Sequence, residues 1–365
     1  MKRSCKELIK RAAAAALSAA VALSLAGCSQ SGSGASQESG QTAGQAAGSA
    51  VPEAAPGEKV VNVGVTSSLN TLNPLLMDGV EINKYATGLM FLPLVELDAN
   101  MEFEGMLADS ITAEDERNFL VHIDEAAVWS DGQPVTADDV VYTALRLCSP
   151  VIGNTAMMYY VFEGVGEDGF VEEGADHIDG ITKVDDKTVR FTTKDPMSLI
   201  TFNSSYGRYL MPLPKHVLEG VGETEQASYD WFNHPDVVSG PFRVTEFDKD
   251  HYISYEANDS YWKGAPAIDR LNIRIVEGSQ LLAGLQSGEI DITQNTMSAI
   301  PLEDYESVQT LENVEVSFGD PITNQSVFIR TENIPDARVR QAMVYAIDRQ
   351  QILDQLLKGN GEVSE

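Results

Sequence analysis

At Glu58 the chain changes from a sequence with almost nothing to bury into one that can build a core, and any fold is confined to the residues from there onward. Ser29 to Gly57 is made almost entirely of Ser, Gly, Ala and Gln, with Glu38 and Glu53 its only charges. Such a stretch cannot gain enough apolar burial to offset the ordering of its backbone, so it reads as a flexible tether. As a Gly/Ser-type coil its ends would stand about 30 Å apart.

Beyond Glu58 short strands alternate with helices. Val61, Val63 and Val65 alternate in one predicted strand, Val189 and Phe191 in a second, Leu271, Ile273 and Ile275 in a third, and Ile290 and Ile292 in a fourth. Tyr159 to Phe162 also reads as strand-like. Thr136 followed by Asp139 has the form of a capping box, and Val140, Val141, Ala144, Leu145 and Cys148 then predict one apolar helix face. Asp336 opens another helix, with Val339, Ala342, Met343, Ala346 and Ile347 on one face. Asp348 with Gln351 offers a further cap before Ile352, Leu353, Leu356 and Leu357, and Gly359 is placed to stop that turn. The interleaving has no fixed repeat and predicts an α/β fold with mixed sheets in more than one lobe. With 365 residues, two or three domains are expected, and an apolar content of 43% excludes a fully disordered chain.

The first residues are an address. Lys2, Arg3, Lys6, Lys10 and Arg11 stand against a single Glu7, and Ala12 to Ala26 is uncharged and rich in Ala and Leu, as in a secretory signal. The run is too short to span a bilayer. It ends in Leu25-Ala26-Gly27-Cys28, which resembles the bacterial lipobox, whose Cys receives a diacylglyceryl group and becomes the mature N-terminus. Cys28 is therefore the expected lipidation site, and two acyl chains give stable anchoring where one does not. Removing residues 1–27 leaves 20 basic against 54 acidic residues, a net charge of −34 compared with −30 for the whole chain. A surface this acidic repels phosphate backbones, so nucleic-acid binding is not expected. Of the mature cysteines only Cys148 remains beside Cys28, so no internal disulfide is expected. Cys148 reads as a small buried hydrophobe.

Motifs for catalysis are scarce. The five histidines, His122, His177, His216, His234 and His251, include no i, i+4 pair for a metal, and no G-x-S-x-G elbow occurs. A hydrolase assembled from distant residues stays open at this point. Gly164 to Gly169 matches G-x-G-x-x-G, yet Glu167 and Asp168 lie inside it and no helical pattern comes after it, so it reads as an acidic surface loop. Nor does this stretch have the ligand spacing of an EF-hand.

Four segments, in order, resemble the bacterial extracellular solute-binding proteins of family 5, the peptide- and nickel-binding receptors of ABC importers. They are Ser68 to Val80, SLNTLNPLLMDGV; Trp129 to Tyr142, WSDGQPVTADDVVY; Ser239 to Trp262, opened by Ser-Gly-Pro-Phe and closed by Asn258-Asp259-Ser260-Tyr261-Trp262; and Gly288 to Ile292 continuing to Asp336–Ala342 and Ala346–Arg349. Each also has a local account: Asp131-Gly132 is a turn, Thr136 to Asp139 a helix start, and Tyr261-Trp262 a pair that packs on a sheet.

The resemblance implies an α/β, periplasmic-binding-protein-like type II (cluster C) two-lobed clamp. Residues 1–27 would be the lipoprotein signal peptide, 28–57 the tether, 58–84 and 196–318 lobe I, 85–195 an inserted subdomain and 319–365 the start of lobe II. Family members are longer, which implies that lobe II is incomplete at Glu365 and that the acidic partner of a peptide's amine lies beyond it. Such a stub is expected to expose the apolar helix faces between Val339 and Leu357 and to aggregate.

The implied function is capture of peptides on the outer face of the bacterial cytoplasmic membrane and delivery to an ABC permease with its ATPase subunits. The protein would be a monomer when full length, held to the membrane by lipid, with no catalytic residue, metal or cofactor. A nickel chelate, a sugar or an opine are alternative ligands, and a surface-anchored hydrolase is the alternative of another class. Asp78, Gly79 and Val80 and, after the Ile290 strand, Asn295, Thr296 and Met297 are the positions the resemblance turns toward ligand. Gly79 would let backbones approach closely, and Asn295 can both donate and accept.

Overall fold

The valine alternation at residues 61–65 forms β1 (Val60–Val65), which pairs in parallel on one side with β10 (Arg270–Ile275) and on the other with β11 (Ile292–Thr293). The antiparallel strands β9 (Tyr252–Ala257) and β8 (Phe242–Asp248) complete a five-stranded mixed sheet of order β11-β1-β10-β9-β8. This is a computed structural model, and it describes residues 51–52, 54–157, 159–293, 300–317 and 326–363. Between β1 and β8 the chain lays down a short pair, β2 (Val95–Leu97) with β3 (Phe103–Gly105). A four-stranded antiparallel sheet of order β4-β5-β7-β6 comes next, from β4 (Ala108–Ala113), β5 (Asn118–Ile123), β6 (Ile181–Lys183) and β7 (Thr188–Thr192). One apolar cluster runs through both larger sheets, from Val65 through Phe119 and Phe191 to Ile273.

The Trp129–Tyr142 segment is a structural hub. The Asp131-Gly132 turn forms, with Gly132 at φ 87° and its N–H bonded to Trp129 O at 2.8 Å. Beyond it lies helix α2 (Ala137–Leu147), preceded in the chain by α1 (Glu81–Gly88). Asp139, only 4% exposed, accepts from Thr136 N at 2.8 Å, from Thr136 Oγ1 at 3.2 Å, from Lys215 N at 2.9 Å and, at a longer 3.4 Å, from Trp129 Nε1. Burial pushes its carboxyl above the usual carboxylate range against the pull of these donors. The buried stripe of α2 runs through Val140, Thr143, Ala144, Leu147 and Cys148, whereas Val141 and Leu145 are only partly buried, so the face is rotated from the predicted one. Thr143 explains the rotation: its hydroxyl is satisfied inside, donating to Asp139 O at 2.7 Å and accepting from Leu213 N at 2.8 Å.

The Ser-Gly-Pro-Phe opening of β8 docks on the chain just after α1. Ser239 N and Gly240 N both donate to Met90 O, and a Cβ on Gly240 would lie 2.3 Å from Leu89 O, so only glycine fits there. Two strand predictions differ from the structure. Tyr159 to Val161 is a tight turn, because Tyr159 and Phe162, three apart, are both fully buried, and residues three apart cannot share one face of a strand. Ile290 precedes β11 and is 3% exposed, while Ile292 within it is 49% exposed. Ile290 fills a notch left by Gly64 of β1 and Gly284 of α3 (Gly278–Ser287), where a Cβ would come within 2.8 and 2.6 Å of its Cδ1. Gly164 to Gly169 is a loop whose acidic Glu167 and Asp168 are exposed, as read, although Val165 is buried in the core; Tyr261 and Trp262 pack against the core.

Both predicted C-terminal caps form. Asp336 accepts from Arg338 N ahead of α4 (Ala337–Tyr345), Asp348 accepts from Gln351 N, and Gly359 takes φ 81°. Val339, Met343, Ile347, Leu356 and Leu357 are exposed there, as are Phe328 and Tyr345.

The Asp139→Ala variant leaves the Thr136 and Lys215 N–H groups without their acceptor and should lose about 3 kcal/mol of stability. Urea denaturation checks this, and a loss below about 1 kcal/mol would show that the hub is replaceable.

Candidate functional site

The segment that ends at Val80 is held from three directions. Asn73 caps its turn, accepting from Leu75 N at 2.9 Å, and donates through Nδ2 to Gln226 O at 3.0 Å. Asn154, on the loop after α2, donates to Leu75 O at 2.9 Å and Met77 O at 3.2 Å. From the third side Asp78 binds the start of α1: Oδ1 accepts from Val80 N at 2.9 Å and Asn83 Nδ2 at 2.6 Å, and Oδ2 from Asn70 Nδ2 at 2.8 Å. Asn83, fully buried, also accepts from Asn70 N at 2.9 Å. Partial burial pushes the Asp78 carboxyl up, but the bonds from Val80, Asn70 and Asn83 outweigh it and hold the group below the usual carboxylate range. Asp78 is thus an anion at neutral pH, and among the described residues no cation forms an ion pair with it.

Asp78 and Gly79 line an open cavity of about 330 Å³ together with Tyr160, Ser205, Tyr206 and Tyr209; Ala156 and Met157 complete it. Gly79 is exposed, and a Cβ there would meet nothing within 4 Å, so the space beside it is open. Val80 is exposed at the start of α1 and is not among the lining residues. Asn295, Thr296 and Met297 lie outside the described residues.

Tyr206 and Tyr209 come from a wide turn in which Arg208 N bonds Asn203 O, an i→i+5 closure of the kind often found at functional sites. Tyr206 is anchored by its ring against Phe162, 4.8 Å between centroids, so its body belongs to the core while its edge reaches the cavity. Burial, with Tyr160 nearby, pushes its phenol up to about 12, which leaves a neutral hydroxyl. Behind Tyr209 the buried Lys84 ammonium lies 4.9 Å from the ring centroid and is paired with Glu96, which Arg208 also binds. Desolvation lowers the Lys84 pKa against the pull of Glu96.

The sequence reading missed the three tyrosines. Tyr206 and Tyr209, three apart, have a readable common face, but Tyr160 joins them only through the tertiary fold. Cys148 is buried, its thiol pushed up to about 12 by desolvation, and has no place at this site. Among the described residues no group of three or more His, Cys, Asp or Glu side chains is arranged to hold a metal ion. What the cavity offers is an anion, hydroxyls and aromatic rings.

Known proteins share this architecture. The family model described as bacterial extracellular solute-binding proteins, family 5 Middle, matches residues 102–365. The oligopeptide-binding protein AppA of Bacillus subtilis is 26% identical over 291 residues, 73% of this chain and 49% of AppA. The structure of AppA in complex with a nonapeptide is 25% identical, with a TM-score of 0.63 over 84% of this chain and 57% of that one. NikZ of Campylobacter jejuni in complex with Ni(L-His) shares the fold at 21% identity, with a TM-score of 0.65 over 84% of this chain and 56% of that one. The chain spans about half the length of the curated relatives it matches.

Because the Asp78 pKa is depressed, its contribution to stability is present above the unfolded carboxylate pKa and lost as pH falls through the lower folded value. In Asn83→Ala this acid-side loss should shrink and the Asp78 pKa, read by NMR titration, should rise. The variant should also lose about 1–3 kcal/mol at neutral pH. An unmoved pKa would show that Asn83 does not set the charge of the loop.

Proposed function

The chain belongs to the bacterial extracellular solute-binding proteins of family 5, and from that membership we propose that it captures peptides outside the cell for an ABC importer. The observation that carries the reading is the open cavity beneath Asp78 and Gly79, built on a backbone that AppA, a named oligopeptide-binding protein, shares. Binding suits its lining, which among the described residues offers polar and aromatic groups.

In this reading residues 58–84 and 196–318 form lobe I, 85–195 an inserted subdomain, and 319–365 the start of lobe II. Support comes from the sheets: the five-stranded sheet draws its strands from residues 60–65 and 242–293, and the four-stranded sheet from 108–192. Ligand would be held between lobes, and the closed form favoured because both lobes contact it. Peptide backbone can pair with an exposed strand edge there, which tolerates many side chains. Asn295, Thr296 and Met297, after β11, are proposed to meet the ligand from the same lobe as Asp78, Gly79 and Val80. The signal sequence and Cys28 would anchor the receptor by lipid on the outer face of the cytoplasmic membrane, close to the permease and its ATPase subunits.

Purified protein incubated with a random peptide pool should retain peptides that mass spectrometry identifies, in stoichiometric amounts and without cleavage. Retention of none, or release of cleavage products in excess of protein, would refute the proposal. Changing Cys28→Ala should move the protein from the membrane fraction to the medium or periplasm; continued membrane attachment would remove Cys28 as the anchor.

A further inference from the structure

Among the described residues, every polar side chain that lines the cavity, Asp78, Ser205, Tyr160, Tyr206 and Tyr209, can accept a hydrogen bond, and none is a cation. The one charge is Asp78. Its donors, Val80 N–H and the amides of Asn70 and Asn83, are all neutral, so they fix the carboxylate without cancelling it. Three donors on two carboxylate oxygens leave acceptor capacity. Tyrosine faces attract cations as well, and an aromatic cage with a carboxylate is a known way to recognise ammonium groups. Tyr209 contributes least, because Lys84 already stands over its ring. The Tyr206 ring is packed against Phe162, which leaves Asp78 and Tyr160 as the stronger partners. The chain's net charge of −30 adds a field that draws cations in and keeps anions out.

We infer that this cavity is a cation subsite: it takes an ammonium or guanidinium group of the ligand, such as a lysine or arginine side chain, in preference to neutral or anionic groups. The inference rests on the peptide-receptor reading for its choice of ligand. A neutral group of the same shape would forgo the charge of Asp78, and a carboxylate would face it at close range with no counter-ion.

The test is calorimetry with a tripeptide series, alanine at the flanks and Lys, norleucine, Arg, citrulline or Glu in the middle. The Lys and Arg peptides should bind about tenfold or more tightly than norleucine and citrulline, with Glu weakest. Asp78→Asn should abolish most of that advantage, and Tyr160→Leu, at an exposed position, should reduce the Lys-to-norleucine affinity ratio severalfold. If Asp78→Asn does not fold, Tyr160→Leu decides. Equal binding of the charged and neutral pairs, or an advantage untouched by either variant, overturns the subsite while leaving the receptor reading in place. If no peptide binds, the receptor reading fails instead, and the cavity is probed with agmatine against n-butylurea on the tyrosine resonances. Saturable shifts with agmatine alone support the subsite, and equal or absent shifts overturn it.

Discussion

The placement of much of this molecule depends on one buried carboxylate. Asp139 closes the first turn of α2 onto Thr136 and at the same time receives Lys215 N from a segment 76 residues away. A charge removed from water is costly unless donors surround it, and here the donors belong to different parts of the chain. Satisfying the group therefore assembles them. Its consequences run along α2 to the opposite end, where Ser149 binds Glu223 and Asn154 clips the carbonyls of Leu75 and Met77. Asp78 is the next residue. One of the anchors of the cavity is thus carried by the helix that Asp139 caps.

The same economy appears in the cavity wall. Phe119 stacks on Phe202 at 4.5 Å, and Phe162 meets Phe191 and Tyr206, so the apolar face of the four-stranded sheet holds the turn that carries Tyr206 and Tyr209. Tyr206 serves both the core, through its ring, and the cavity, which it lines. On the other side Asp78 is fixed by amides, which orient a charge without neutralising it. Both walls are therefore preorganised, and a bound group would not have to order them.

Local rules made the framework legible. The capping box at Thr136, the Asp131-Gly132 turn and the valine alternation of β1 each depend on neighbours within a few residues, and each formed. The Asp78-Gly79 pair was legible only through the family segment that contains it. What could not be read depended on partners distant in sequence. The buried stripe of α2 turned because Thr143 found Leu213 N, and Tyr159 to Phe162 left the strand pattern because both aromatic rings went to one side. Tyr160 has no periodic relation to Tyr206, and no rule of spacing joins them. Three of the six positions expected near ligand, Asn295 to Met297, fall outside the described residues.

The Ile290 notch has a consequence for how this sequence can drift. Gly64 and Gly284 lie on different elements, yet both are hollowed around one isoleucine, so the three positions act as a single size constraint. A methyl added at either glycine fits only if Ile290 shifts or becomes smaller, and a smaller residue there alone opens a void beneath Leu281 and Leu285. Relatives should therefore exchange these residues in concert, and a pairing of larger residues at 64 or 284 with valine or alanine at 290 would be the trace of that history.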